Sequence, residues 1–358
     1  MSGCTPTEAR GAGWLHAESE NSMIPSAHMG YLDAHSDALL DVAATRGRPN
    51  GASFVDKHLP RLMSAGVTHQ FLTVGGDFPL FASDLGHRDG LRECLAMIDV
   101  LHCEIEESRG RMLLVRDPGD LAAGGLAAVA HLEGVGFLAG DAAYLRLMYR
   151  LGVRSVGLTW NDANPLADGC GTARDAGLTP RGRAVVEQAR SLRILVDVSH
   201  MSERGARETL DVSDGPVIAS HSNCRGVYDH PRNLTDDLVR DIASAGGVVC
   251  IAALPDLLSA HGRPDISDML RHIEHLVDLV GPSHVGIGCD FVNLPASMLT
   301  SAPVAEHRAQ LERPFPRGFT SPGDLRSLAH QLASRGWDSR AVAAVMGDNV
   351  RSLLQRVL

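Results

Sequence analysis

From about residue 30 onward, short apolar runs alternate with segments whose apolar positions recur every three or four residues. Eight runs read as strands: Gly30–His35, Thr68–Val74, Ala127–Glu133, Arg154–Thr159, Ile194–Ser199, Pro216–His221, Gly247–Ala252 and Val285–Asp290. Arg111–Val115 reads either as a ninth strand or as an extra piece ahead of the third. Between the strands the period is helical. Ile266, Met269, Leu270, Ile273, Leu276, Val277 and Val280 share one face, with Asp265 as N-cap and Gly281 just past the end. Ser321-Pro322-Gly323-Asp324 supplies a cap, a proline at the first helical position and an acidic third residue. That pattern predicts a helix running to Gly336 and a second starting after Asp338. Strands separated by helices argue for a parallel sheet. Eight such units over ~330 residues fit a closed (β/α)8 barrel, an α/β fold, better than an open doubly wound sheet, which is the alternative. Residues 1–30 are rich in Gly, Ser, Ala and Glu without periodicity and read as a loose extension, leaving 31–358 as a single domain.

Composition narrows the function classes. The chain has 358 residues, 44% hydrophobic and 21% charged, which is enough apolar material for a sizeable core. Its net charge of −10 and the absence of any Lys/Arg-rich run argue against a nucleic-acid partner or an anionic membrane surface. Lys57 is the single lysine, and it follows no glycine, so no P-loop exists and a Schiff-base mechanism has a poor candidate. The seven cysteines are scattered with no Cys-x-x-Cys, so neither a disulfide framework nor a thiolate zinc knuckle is expected. Glu8, Glu18 and Glu20 interrupt the N-terminal stretch, no signal peptide or membrane-spanning run is read, and a cytoplasmic protein is expected. The glycines at 134, 136 and 140 miss the dinucleotide-loop spacing by one residue, and no Gly-x-Ser-x-Gly or His-Glu-x-x-His occurs.

With 17 histidines, position must discriminate between them. His58, His87, His272, His275 and His330 fall in helical or loop patterns and are assigned to solvated faces. The others of interest end strands. His35 and Asp37 are two apart, so an extended backbone points both to one side. Glu133, His200, His221 and Asp290 end four further strands. A barrel gathers its active site at that end of its strands. Any one of these residues alone reads as a hydrogen-bonded rim residue. Three imidazoles and three carboxylates converging there have an obvious partner in a divalent metal. Many metal-dependent barrels join two ions through a carboxylated lysine. Lys57 lies outside every strand pattern, so Glu133 is expected to bridge instead. His35, Asp37 and Glu133 would then hold one ion, and Glu133, His200 and His221 the other.

Six ordered motifs carry a resemblance. Asp33-Ala-His-Ser-Asp37, His131-Leu-Glu-Gly134, Gly177-Leu-Thr-Pro-Arg-Gly182, Asp197-Val-Ser-His-Met-Ser202, Val217-Ile-Ala-Ser-His-Ser-Asn223 and Asp229-His-Pro-Arg-Asn-Leu-Thr-Asp-Asp237 resemble the membrane (renal) dipeptidase family, peptidase family M19. The resemblance covers the chain from about residue 30 to its C-terminus. It implies a barrel with two zinc ions bridged by Glu133, and hydrolysis of a dipeptide or dipeptide-like small molecule by a metal-bridging hydroxide. Asp290 matches the family's proton-transfer aspartate and, with Glu133, makes up the catalytic pair. Arg232 matches the arginine that holds the substrate's free carboxylate, with Trp160 and Asn233 as further substrate-binding candidates; a homodimer is a possible assembly. Two departures stand out. Leu158-Thr-Trp160-Asn161 carries tryptophan where most characterised members have histidine, and Asp290-Phe-Val-Asn293 replaces Asp-Phe-Asp-Gly. A non-dipeptide amide or β-lactam substrate therefore stays open, as does a metal-binding homologue with little turnover.

Overall fold

The computed structural model describes residues 30–46, 51, 53–77, 90–139, 141–260, 262–291 and 313–358. Nine parallel strands form one sheet: β1 (Tyr31–Asp33), β2 (Val67–Gly76), β3 (Met112–Leu114), β4 (Leu126–Glu133), β5 (Val153–Gly157), β6 (Leu195–Asp197), β7 (Ile218–Ala219), β8 (Val248–Ile251) and β9 (Val285–Ile287). Their spatial order is β1-β2-β4-β5-β6-β7-β8-β9, and β3 pairs beside the start of β4. The eight expected strands are thus all present, and Arg111–Val115 is the extra piece ahead of the third. Hydrogen bonds from Ala34 N to Ile287 O (2.9 Å) and from Asp290 N to His35 O (3.2 Å) bring the last strand back to the first. The Asp33 carboxylate adds a third link by accepting the Cys289 N–H at 2.7 Å. The result is a near-closed (β/α)8 barrel.

Period two explains why one strand serves two environments. Along β4, Leu126, Ala128, Ala130 and Leu132 pack toward the surrounding helices, while Ala127 and Val129 pack inward. The same alternation carries His131 and Glu133 to the inner face near the mouth. Inward-facing Leu32, Phe71, Leu195, Ile218 and Val248 fill the lower barrel together with Val350, Leu353 and Leu354 of the C-terminal helix Asn349–Val357. Gly286 allows that approach, because a Cβ there would lie 2.7 Å from Cys250 Sγ and 3.0 Å from Val350 Cγ2.

The helix Ile266–Val280 starts at Asp265, whose carboxylate forms a capping box with Asp268, and stops at Gly281 with φ 79°. Ser321 caps a short 3-10 turn that runs into the helix Leu325–Ser334, and Asp338 caps the next one, Ser339–Ala343. No described helix is long and apolar enough to cross a membrane. The extension expected at residues 1–30 lies, except for Gly30, outside the described residues, as does His87.

Two histidines assigned to solvated faces are buried instead. His58 packs against Asp41, with Nε2 3.0 Å from Oδ1. His272 is fully buried; its Nδ1 accepts the Cys224 N–H at 3.1 Å, so its Nε2–H donates to Leu258 O, also at 3.1 Å. A polar residue with both ring nitrogens paired sits on an apolar helix face at little cost, which a hydrophobic pattern does not register. Burial lowers the His272 pKa to about 4. The unfolded imidazole, near ~6.5, therefore takes a proton that the folded one refuses, and stability drains as pH falls from about 6.5 to 4. Urea unfolding across that range should show this decline. His272→Ala should cost about 2–4 kcal/mol at neutral pH and flatten the slope.

Candidate metal centre

Glu133 is the last residue of β4, and the other site residues lie just beyond the laddered ends of their strands. His200 and Asp290 have φ of 66° and 57°, left-handed conformations that cost non-glycine residues on the order of 1–3 kcal/mol and cluster at functional sites. These turns swing each side chain over the barrel mouth. His35, Asp37, Glu133, His200, His221 and Asp290 all converge there, and all are buried.

Glu133 Oε1 is the hub. It lies 3.4 Å from His35 Nε2, 3.0 Å from His200 Nε2 and 3.1 Å from His221 Nε2. His35 Nε2 is also 3.8 Å from Asp37 Oδ1 and 3.7 Å from Asp290 Oδ1. Two sets have the compactness of a metal site: His35–Glu133–His221 and His35–Asp37–Asp290. His200 Nε2, His221 Nε2 and Glu133 Oε1 form a third triangle, its His–His edge 2.8 Å. A tetrahedron of ligands ~2.0–2.1 Å from zinc has edges of roughly 3.3 Å, close to these spacings.

The electrostatics point the same way. Loss of hydration raises the carboxyl pKa values, Asp37 to about 6 and Asp290 to about 8, with Asp37 repelling the Asp290 charge; Glu133 is driven well up by burial and by both aspartates. Burial likewise lowers the pKa of all three imidazoles, keeping them neutral. Both ring nitrogens of His35 are buried and find no hydrogen-bond partner among the described residues. A cation relieves the carboxylate repulsion and uses the His35 lone pair, so the donor set fits a metal. Lys57 lies in the short helix Phe54–Lys57 and pairs with Asp41, away from this cluster.

A cavity of about 380 Å³ opens over the cluster, lined by Asp37, Glu133, His200, Asp290, Arg232 and Trp160, with Tyr228, Leu254 and Phe315 on its outer wall. Arg232 is anchored from behind, donating from Nη1 to Ser222 Oγ and from Nη2 to His221 O, both at 2.7 Å. Trp160 stacks over His200, ring centroids 5.8 Å apart.

Asn233, the remaining substrate-binding candidate, is not among the residues that line this cavity. Its side chain is buried beneath the Arg232 loop, where Nδ2 donates to Tyr228 O and Leu257 O, both at 2.9 Å. An amide flanking a functional arginine does not declare in sequence whether it faces a ligand or ties its loop. His131 was missed, although its spacing of two from Glu133 is the signal that paired His35 with Asp37. Its ring lies edge-on to His35, with Nδ1 3.0 Å from Ser155 Oγ. The glycine loop at 134–136 is held by Asp77, whose carboxylate accepts the Gly136 N–H at 3.0 Å and would repel a phosphate.

A family model described as membrane dipeptidase, peptidase family M19, matches residues 24–302. An uncharacterized protein of Klebsiella pneumoniae is 34% identical over 224 residues, covering 59% of this chain and 76% of that one. An uncharacterized dipeptidase of Schizosaccharomyces pombe is 28% identical over 359 residues, covering 94% and 83%. Among solved structures, a metallopeptidase from Rhodobacter sphaeroides, liganded with a phosphinate mimic of the dipeptide L-Ala-D-Ala, superposes with a TM-score of 0.77 at 25% identity, covering 92% of this chain and 99% of that one.

The raised carboxyl pKa values set a pH dependence for metal binding. Asp37 and Asp290 hold protons in the metal-free chain that a cation must displace, whereas the imidazoles are already neutral. Affinity for zinc should rise between pH 6 and 8, with protons released on binding. Calorimetry in buffers of different ionisation enthalpy measures that release; affinity independent of pH across this range would contradict it.

Proposed function

The chain belongs to the membrane dipeptidase family, peptidase family M19, and from that premise we propose that it is a dinuclear zinc hydrolase cleaving dipeptides or dipeptide-like conjugates with a free carboxylate. One observation carries the reading: three imidazoles and three carboxylates cluster about Glu133 Oε1 and His35 Nε2, themselves 3.4 Å apart, beside a buried guanidinium and under a small-molecule-sized cavity. In this reading His35 and Asp37 hold one ion, His200 and His221 the other, and Glu133 is shared between them. When bound, the two ions supply Lewis acidity and a water acidified enough to act as nucleophile near neutral pH.

The protein's own groups do the rest. Arg232, fixed by Ser222 and the His221 carbonyl, keeps donors for a planar carboxylate, which orients the scissile bond over the cluster. Asp290, at the cavity wall with Oδ1 3.7 Å from His35 Nε2, is placed to carry a proton from the nucleophile to the leaving amine. Trp160 has one N–H donor and cannot ionise, so at the cavity wall it contributes shape and at most a neutral hydrogen bond. The cavity's volume of about 380 Å³ supports a substrate of two residues over a longer peptide. The ligand of the Rhodobacter sphaeroides relative supports including L-D dipeptides among the candidate substrates.

The carboxylate role is tested by comparing dipeptides with their C-terminal amides. The acids should be cleaved and the amides should lose at least ~100-fold in kcat/KM, the scale of a buried charge-assisted pair. Arg232→Met should abolish that preference mainly through KM, while Asp290→Asn should lower kcat by ~100-fold or more with metal content unchanged. Equal turnover of acid and amide would move the search to other amides.

A further inference from the structure

Resting on the two-ion reading, we propose that the two metal positions are unequal, and that Asn161 and Ser220 are the positioning residues that make them so. At the His200–His221 position, both rings are fixed before an ion arrives. His200 Nδ1 lies 2.7 Å from Asn161 Oδ1, an amide oxygen that only accepts. Nδ1 therefore carries the ring proton and Nε2 turns its lone pair toward Glu133. The Cys170 thiol donates to the same Asn161 oxygen at 3.2 Å, which sets the amide's orientation.

His221 is fixed by a longer relay. Its Nδ1 is 2.7 Å from Ser220 Oγ, and that hydroxyl gives its own proton to Asp197 Oδ2. The hydroxyl must then accept from Nδ1–H, which again leaves Nε2 as the free donor atom. Asp197 is itself held through Oδ1 by the N–H groups of Ser199 (2.9 Å) and Ser220 (3.0 Å). Both Nε2 atoms arrive with tautomer and rotation determined, 2.8 Å apart.

The other position lacks such support. His35 Nδ1 is buried without a hydrogen-bond partner among the described residues, so that side of the ring is held by packing against His221 (centroids 3.7 Å) and His131 (5.5 Å) and not by an orienting acceptor. This position offers one imidazole and the Asp37 carboxylate where the other offers two imidazoles, so the difference rests on the fixed orientation of the rings. Orienting partners of this kind are worth ~10–100-fold in metal affinity each. The His200–His221 position should therefore hold its ion at least ~10-fold more tightly. The His35–Asp37 position then fills according to free metal, so ambient zinc sets the active fraction.

The test is a titration of the metal-free full chain with Zn²⁺ against a chromophoric chelator, with bound ions counted by native mass spectrometry. Two steps at least ~10-fold apart are expected. His35→Ala should abolish the looser step and leave the tighter one. Asn161→Leu and Ser220→Ala should each weaken the tighter step by ~10–100-fold, and Asn161→Asp and Ser220→Thr, which keep an acceptor oxygen, should restore it. Two ions bound with the same constant would overturn the inequality, and variants that weaken only the looser step would overturn the roles given to Asn161 and Ser220; both results leave the two-ion reading intact. A chain that never takes a second ion would overturn both. Circular dichroism of the metal-free variants identifies any that fail to fold, in which case the wild-type and His35→Ala titrations decide.

Discussion

The site rests on one electrostatic constraint: three carboxylates and three imidazoles are taken out of water within a few ångströms of one another. Left to themselves, the carboxylates repel and hold protons, Asp290 up to about 8, while the imidazoles stay neutral. Arg232 is close enough to temper that repulsion, but it is a single charge committed to Ser222 and a backbone carbonyl. A divalent cation satisfies what the protein cannot, which is why the donor set, the buried lone pairs of His35 and the M19 family membership agree.

The barrel makes this arrangement affordable. Its lower half is an apolar interior plugged by the C-terminal helix, so the strands are held by packing that owes nothing to the site. Period two then delivers His131 and Glu133 to the inner face of β4, and strained turns at His200 and Asp290 bring in residues from other strands. Backbone strain and desolvation are both concentrated at the mouth, where the rest of the fold can sustain them.

Much of this was legible in the sequence for a physical reason. A polar residue ending an apolar strand is rare without cause, and the rule picked out His35, Glu133, His200, His221 and Asp290, which the structure gathers together. Helix caps were equally local, as Asp265 and Asp338 show. What escaped depends on partners distant in sequence. His272 looked solvated because its partners, Cys224 N–H and Leu258 O, lie in other parts of the chain. Asn233 follows Arg232, and its bonds to Tyr228 O and Leu257 O, which tie down the loop, are equally invisible in a local pattern. Asn161 and Ser220 sit beside residues that were singled out, but a neighbour's hydrogen bond to a ring nitrogen leaves no periodic trace.

The most direct test of the central claim is zinc content per chain measured together with hydrolysis of mixed L-L and L-D dipeptides, before chelation, after it, and after zinc is restored. Close to two ions per chain, with cleavage lost on chelation and recovered with zinc, is the predicted result. A well-folded chain that binds no metal at any zinc concentration, or that cleaves dipeptides equally well with its metal removed, would contradict it.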